Sequence, residues 1–176
     1  MQYFELLQSP RVENPIALMG LDKDAYCYAM PIERFEELER LNVAYFSGSE
    51  REEPCDILTA PTFMVSDELK KLLSVYDKEI AFKGVQALPT VEECALYPLY
   101  WVPCFFEIAC MHKDSVVYDN GMLSRLVLDE SKIGKQNVFK LSGCLEYKVI
   151  VSMPVAESIL RRRFYGVGLK KLEVAG

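Results

Sequence analysis

Apolar positions in this chain alternate between strand-like and helix-like spacing, and the switches between them predict the elements. Tyr3 to Leu7 reads as a first strand, and Asn14-Pro15 and Gly20 punctuate a loop. Tyr26 to Met30 is a short apolar run, read as a strand, and Pro31 suits the first turn of a helix, where its missing N–H costs nothing. Ile32, Phe35, Leu38 and Leu41 follow at spacing three, with Glu33, Glu36, Glu37 and Glu39 between them, so an amphipathic helix is predicted. Residues 47–56 offer almost nothing to bury and read as an exposed acidic loop.

A strand over Thr62–Val65 leads into Ser66, a good N-cap, with Asp67 and Glu68 in the first turn. Leu69, Leu72, Leu73 and Tyr76 then fall at i, i+3, i+4 and i+7, the spacing of one buried helix face. From Ile80 the pattern is mostly β. Ile80–Phe82 and Val85–Leu88 read as extended, and Cys104–Met111 as a strand. Asp119-Asn120-Gly121 is a turn signal between Val116–Tyr118 and Leu123–Leu128. Val138–Leu141 and Leu145–Val151 flank Ser142-Gly143 as a further hairpin.

The end repeats an earlier order. Val149-Ile150-Val151-Ser152 precedes a helix marked by Pro154, Ala156, Ile159 and Leu160, then Gly166-Val167 opens a last strand. Phe63-Met64-Val65-Ser66, a helix and Gly84-Val85 have the same order. The echo reads either as an internal duplication or as the shared physics of capping a helix after a strand. The predicted fold is α+β, with a mixed, largely antiparallel sheet, about three helices and two related strand–helix–strand units.

Composition bounds the rest. The 176 residues fit a single domain, 1–176, with 1–55 as its less regular acidic part. The first residues lack a basic run and carry Glu5 where a signal peptide is apolar. The longest apolar stretch, 95–106, is interrupted by Pro98 and Pro103. A cytoplasmic protein without a membrane span is expected. The six cysteines, at 27, 55, 94, 104, 110 and 144, are expected to be free thiols.

Residues 1–60 hold 5 Lys and Arg against 12 Asp and Glu, so they carry more than the whole net charge of −6. That balance disfavours nucleic acid, whose binding needs a basic footprint. It reads either as a solvated face or as a surface for a basic partner. Tyr97, Tyr100, Trp101, Phe105 and Phe106 put five aromatics into ten residues, read either as core or as binding anchors. The candidate partner-binding residues are therefore Glu36, Glu37, Glu52, Glu53, Asp56, Tyr97, Tyr100 and Trp101. Arg161-Arg162-Arg163 suits the last turn of a helix, where cations complement the dipole.

Reactive chemistry has little to build on. Cys94, Cys104, Cys110 and His112 lack the paired spacing of zinc ligands, so no metal and no cofactor are expected. His112 is the one histidine, and Cys110 two residues before it is the only thiol with a base in sequence reach, with Asp114 as orienting group. There is no Gly-rich phosphate loop, no G-x-S-x-G and no H-E-x-x-H.

Asp56-Ile57-Leu58, Pro61 to Leu69, Val151-Ser152 and Gly166-Val167-Gly168-Leu169 resemble a bacterial family grouped with immunity proteins of polymorphic toxin systems. The resemblance spans residues 55–174 and rests on strand-and-cap patterns, not on reactive side chains. It implies a small cytoplasmic protein that binds and neutralises a cognate toxin, with no catalytic residues to carry over. The alternatives are a regulatory or scaffold module, and a small enzyme using Cys110 and His112.

Overall fold

The computed structural model describes residues 1–21 and 32–175. The strand expected at Tyr26–Met30, together with Cys27 and Pro31, lies outside the described residues. Along the chain run β1 (Tyr3–Gln8), α1 (Ile32–Glu37), β2 (Leu41–Phe46), β3 (Ile57–Leu58), β4 (Met64–Ser66), α2 (Asp67–Tyr76), β5 (Ala81–Pro89) and β6 (Leu99–Cys104). They are followed by β7 (Glu107–Ile108), β8 (Val116–Val117), β9 (Leu123–Arg125), β10 (Val127–Asp129), α3 (Glu130–Ile133) and β11 (Val138–Leu141). The chain then forms β12 (Val149–Ser152), α4 (Met153–Leu160), β13 (Val167–Lys171) and β14 (Glu173–Ala175). The fold is α+β with largely antiparallel sheets, and four helices are formed among the described residues.

Two five-stranded sheets dominate, ordered β2-β5-β6-β4-β3 and β13-β1-β12-β11-β7. Each contains the same unit. In the first, β4, α2 and β5 form a crossover, and β6 lies antiparallel between the two strands. In the second, β12, α4 and β13 form the crossover, and β1 fills the gap. The registers correspond residue by residue. Val65 and Ser66 face Trp101 and Tyr100, as Val151 and Ser152 face Phe4 and Tyr3. Ile57 and Leu58 face Val65 and Met64, as Val138 and Phe139 face Val151 and Ile150. The units differ in where the middle strand comes from: β6 follows β5 in the chain, whereas β1 arrives from its start.

The Gly-Val echo in the sequence is not part of this correspondence. Gly84 sits inside β5 opposite Trp101, while Gly166 precedes β13. Gly166 has φ +73°, and a Cβ there would run into Cys55, so close approach and backbone conformation both call for glycine.

The crossover helices pack together over one face of each sheet. Leu69, Leu72 and Leu73 of α2 and Val155, Ala156 and Ile159 of α4 are buried with Leu6, Val65, Val149 and Val151. Each Leu, Ile or Val among them contributes about 1.5–3 kcal/mol on burial. The Tyr76 hydroxyl joins the helices, 2.5 Å from Ser158 Oγ and donating to the Pro154 carbonyl at 3.1 Å. The far faces are covered as well, one by the cluster of Ile16, Phe35, Phe46 and Tyr100, the other by that of Tyr3, Leu128, Phe139 and Leu172. With both faces covered, all four residues of β12 are buried.

The helix expected to reach Leu41 stops at Glu37. A spacing of three drifts about 60° around a helix at each step, so Leu41 would lie opposite Ile32 and no single face could bury all four apolar residues. Only Phe35 is buried in α1, and Leu41 instead opens β2, which pairs in parallel with β5. The continuous strand expected over Cys104–Met111 is not formed: β6 ends at Cys104, the chain turns at Phe105-Phe106, and only Glu107–Ile108 is strand, as β7. Cys55, Cys94, Cys104, Cys110 and Cys144 are free thiols. No helix among the described residues is long and apolar enough to cross a membrane.

Candidate binding cleft

The eight residues singled out from sequence do not form one surface. Tyr100 is 1% exposed and belongs to the core, so it is removed from any contact surface, whereas Tyr97 is 58% exposed. Trp101 is half-buried: its Nε1 donates to Asp67 Oδ1 at 2.9 Å, and the Lys70 ammonium lies 3.3 Å from the ring centroid. Phe105 is core and Phe106 is 45% exposed. The aromatic segment alternates between inside and outside because it is strand and strand-like turn.

The acidic residues also divide. Glu36 and Glu37 are exposed on α1. Glu52 is tied into its own loop, accepting from Ser47 Oγ at 2.7 Å, Gly48 N at 2.9 Å and Ser49 N at 3.2 Å. Glu53 accepts from the amides of Glu13 and Asn14 at 3.1 and 2.9 Å and from the Tyr165 hydroxyl. Asp56 accepts from Ser66 Oγ at 2.5 Å and from Tyr165 N at 2.6 Å. Burial pushes its carboxyl up, partly offset by the Ser66 hydrogen bond. The 47–56 stretch is thus a bonded connector, not a free acidic loop, with Cys55 buried inside it.

Cys110 is fully buried, and its thiol is pushed up to about 11 by that burial. Among the described residues no hydrogen bond joins it to His112, whose Nδ1 accepts from Asp114 N at 3.3 Å. Among the described residues no group of three or more His, Cys, Asp or Glu side chains is placed to hold a metal ion.

A cleft of about 480 Å³ forms where the two units meet α1. After β6 the chain turns Phe105 into the core and Phe106 outward, then enters β7, which pairs in parallel with β11 so that Glu107 lies beside Lys140. The Lys140 ammonium is 2.5 Å from Glu107 Oε1 and 5.4 Å from the Tyr147 ring centroid. Tyr147 leads into β12 and rests on Phe63 with centroids 5.3 Å apart. Ile32 and Phe35 of α1 form one wall, and Glu79, before β5, and Ala81, its first residue, form another.

The cleft is apolar inside and acidic at its mouth. Burial first, then Glu107 and Glu36, hold the Cys104 thiol up, with Lys140 opposing. Burial first, then Cys104 and Glu107, pushes the Tyr147 hydroxyl up, so it stays a neutral phenol at neutral pH. Such a site favours a group with an apolar body and a cationic head. Sequence reasoning found Glu36 and named Phe106 among the aromatics read as core or anchors, but missed Glu79, Glu107, Lys140 and Tyr147. The one available signal was Lys140, a lone charge in the apolar run Val138-Phe139-Lys140-Leu141.

No protein-family model and no curated protein matches the chain.

Proposed function

We propose that this is a protein-binding protein of the bacterial cytoplasm, an immunity-type neutraliser of a basic toxin domain. The observation that carries the reading is the acid-mouthed apolar cleft, with exposed Glu33, Glu36 and Glu37 on the helix that walls it. The reading also agrees with what the resemblance drawn from residues 55–174 implies. Charge at the mouth steers a basic partner in and the apolar walls hold it. A regulatory or scaffold role is the competing outcome; the Cys110–His112 enzyme has no observation in its favour.

The test is retention from a lysate of the source cell by wild type and by Glu36→Lys/Glu37→Lys, at low and raised salt. A basic protein held by wild type, released by salt, lost from the variant and relieved of toxicity on co-expression is the expected result. Equal retention by the variant, or a retained protein that is not toxic, overturns the neutraliser reading.

A further inference from the structure

We infer that the cleft takes a short partner segment that carries one long cationic side chain, arginine or lysine, beside an apolar residue, and that Lys140 partly fills this place in the free protein. The inference rests on the protein-binding reading and says what that surface recognises.

Three observations converge. First, the walls are apolar and open: Ile32 is 55% exposed and Phe106 45% exposed, with Pro103 and Tyr147 beside them. The cleft's size falls in the range of ligand pockets, roughly 300–1,000 Å³, and exceeds what one side chain fills. Second, the charge does not balance. Among the described residues, Glu79 and Glu107 line the cleft and Glu36 is exposed on α1 between the lining residues Ile32 and Phe35 and the helix end, while Lys140 is the single cation in the lining. Neither Glu79 nor Glu36 has an ion-pair partner among the described residues. Lys83 stands behind Phe35, its ammonium 5.7 Å from that ring and donating to the Leu38 carbonyl at 2.6 Å. Third, the site already holds a cation of this kind. Lys140 runs past Tyr147 to Glu107, which is the arrangement an incoming side chain would adopt against Glu79 and the remaining apolar wall.

The probes are capped tripeptides added to the ¹⁵N-labelled full chain: acetyl-Leu-Arg-Leu-amide, its citrulline isostere and its glutamate counterpart. The arginine peptide should shift the amides of Ala81, Phe106, Glu107 and Lys140. It should bind about fivefold more tightly than the citrulline peptide, the scale of one partly exposed ion pair. Lys140→Met keeps the stem, removes the competing charge and should tighten arginine binding several-fold. Glu79→Gln should weaken it by a similar factor, with the remaining amide fingerprint showing that each variant is folded. Citrulline binding as well as arginine, Lys140→Met weakening the complex, or no shift with any peptide would overturn the inference. A toxin partner that binds and leaves these four amides unmoved would overturn it too, with the neutraliser reading intact. Peptide binding without any toxin partner would sink that reading and leave this one standing.

Discussion

The two crossover units share a register but differ in how their serines are used. In the first, Ser66 N donates to the Asp56 carbonyl at 2.9 Å and Ser66 Oγ to Asp56 Oδ1 at 2.5 Å. In the second, Ser152 N donates to the Asn137 carbonyl at 2.9 Å and Ser152 Oγ to Asn137 Oδ1 at 2.7 Å. The same pair of bonds ties β4 to the start of β3 and β12 to the start of β11. Only Ser66 also caps its helix, accepting from Leu69 N at 3.2 Å; Ser152 makes no side-chain cap. The shared task of the two serines is therefore a strand clamp, and helix capping is an addition in one unit. The second difference lies in the acceptors: Asp56 is an ionisable carboxyl that reaches on to Tyr165, whereas Asn137 is a neutral amide.

The largest test of the correspondence is removal of the strand that closes the second unit. β1 lies between β12 and β13, so deleting residues 1–8 exposes both inner edges and uncovers Val149 and Val151. The shortened chain should lose its cooperative thermal transition. A transition at the wild-type midpoint would show that β1 is an accessory strand and not the counterpart of β6.

Tyr3 and Tyr100 then compare the units at equivalent positions. Both are buried on the face of the sheet away from the helices. Tyr3→Ala and Tyr100→Ala should each cost about 3–5 kcal/mol in urea unfolding, the range for a large aromatic in a core. If Tyr100→Ala leaves stability unchanged and weakens partner binding, the ring is an interface anchor after all.

The serines give a smaller and asymmetric effect. Ser66→Ala loses the hydroxyl half of the clamp and the cap, keeps the backbone bond, and should cost about 1–2 kcal/mol. Ser152→Ala loses only the hydroxyl half of the clamp, leaves Asn137 Oδ1 without its donor, and should cost about 1 kcal/mol. Equal losses would remove the distinction between the two roles.

What the sequence disclosed follows the range of the forces involved. α2 was readable because capping by Ser66 and the 69, 72, 73 stripe act within one turn or two. The correspondence of Tyr100-Trp101 with Tyr3-Phe4 was not, because pairing across the whole chain leaves no local trace. β2 was hidden for another reason: its apolar Leu41, Val43 and Tyr45 are exposed, while Ala44 and Phe46 point inward. Alternation there gives the wrong face. The acidic character of 47–56 was plain, yet composition could not show that Glu52, Glu53 and Asp56 accept backbone and hydroxyl hydrogens. The cleft was the least readable part, since α1, the β6–β7 turn and the Tyr147 segment meet only in the folded chain.

The smallest effect separates the two clamps by charge. Burial raises the Asp56 carboxyl above its ordinary value, more than its hydrogen bond from Ser66 lowers it. The folded chain therefore holds this proton more tightly than the unfolded chain does. As pH rises from the unfolded carboxylate range through the raised folded value, the folded state must give up a proton that it favours, and stability falls. Above that window the cost of the buried charge is present in full. Asn137 has no such dependence, so Asp56→Asn makes the first clamp resemble the second. The variant keeps an Oδ1 to accept from Ser66 and should lose the titration. Urea midpoints of wild type and variant, followed from acid to neutral pH, should show wild type losing ground to Asp56→Asn as pH rises through that window. A difference that stays flat, or moves in favour of wild type, would mean that the bonds from Ser66 and Tyr165 outweigh burial, and that the charge strengthens the clamp.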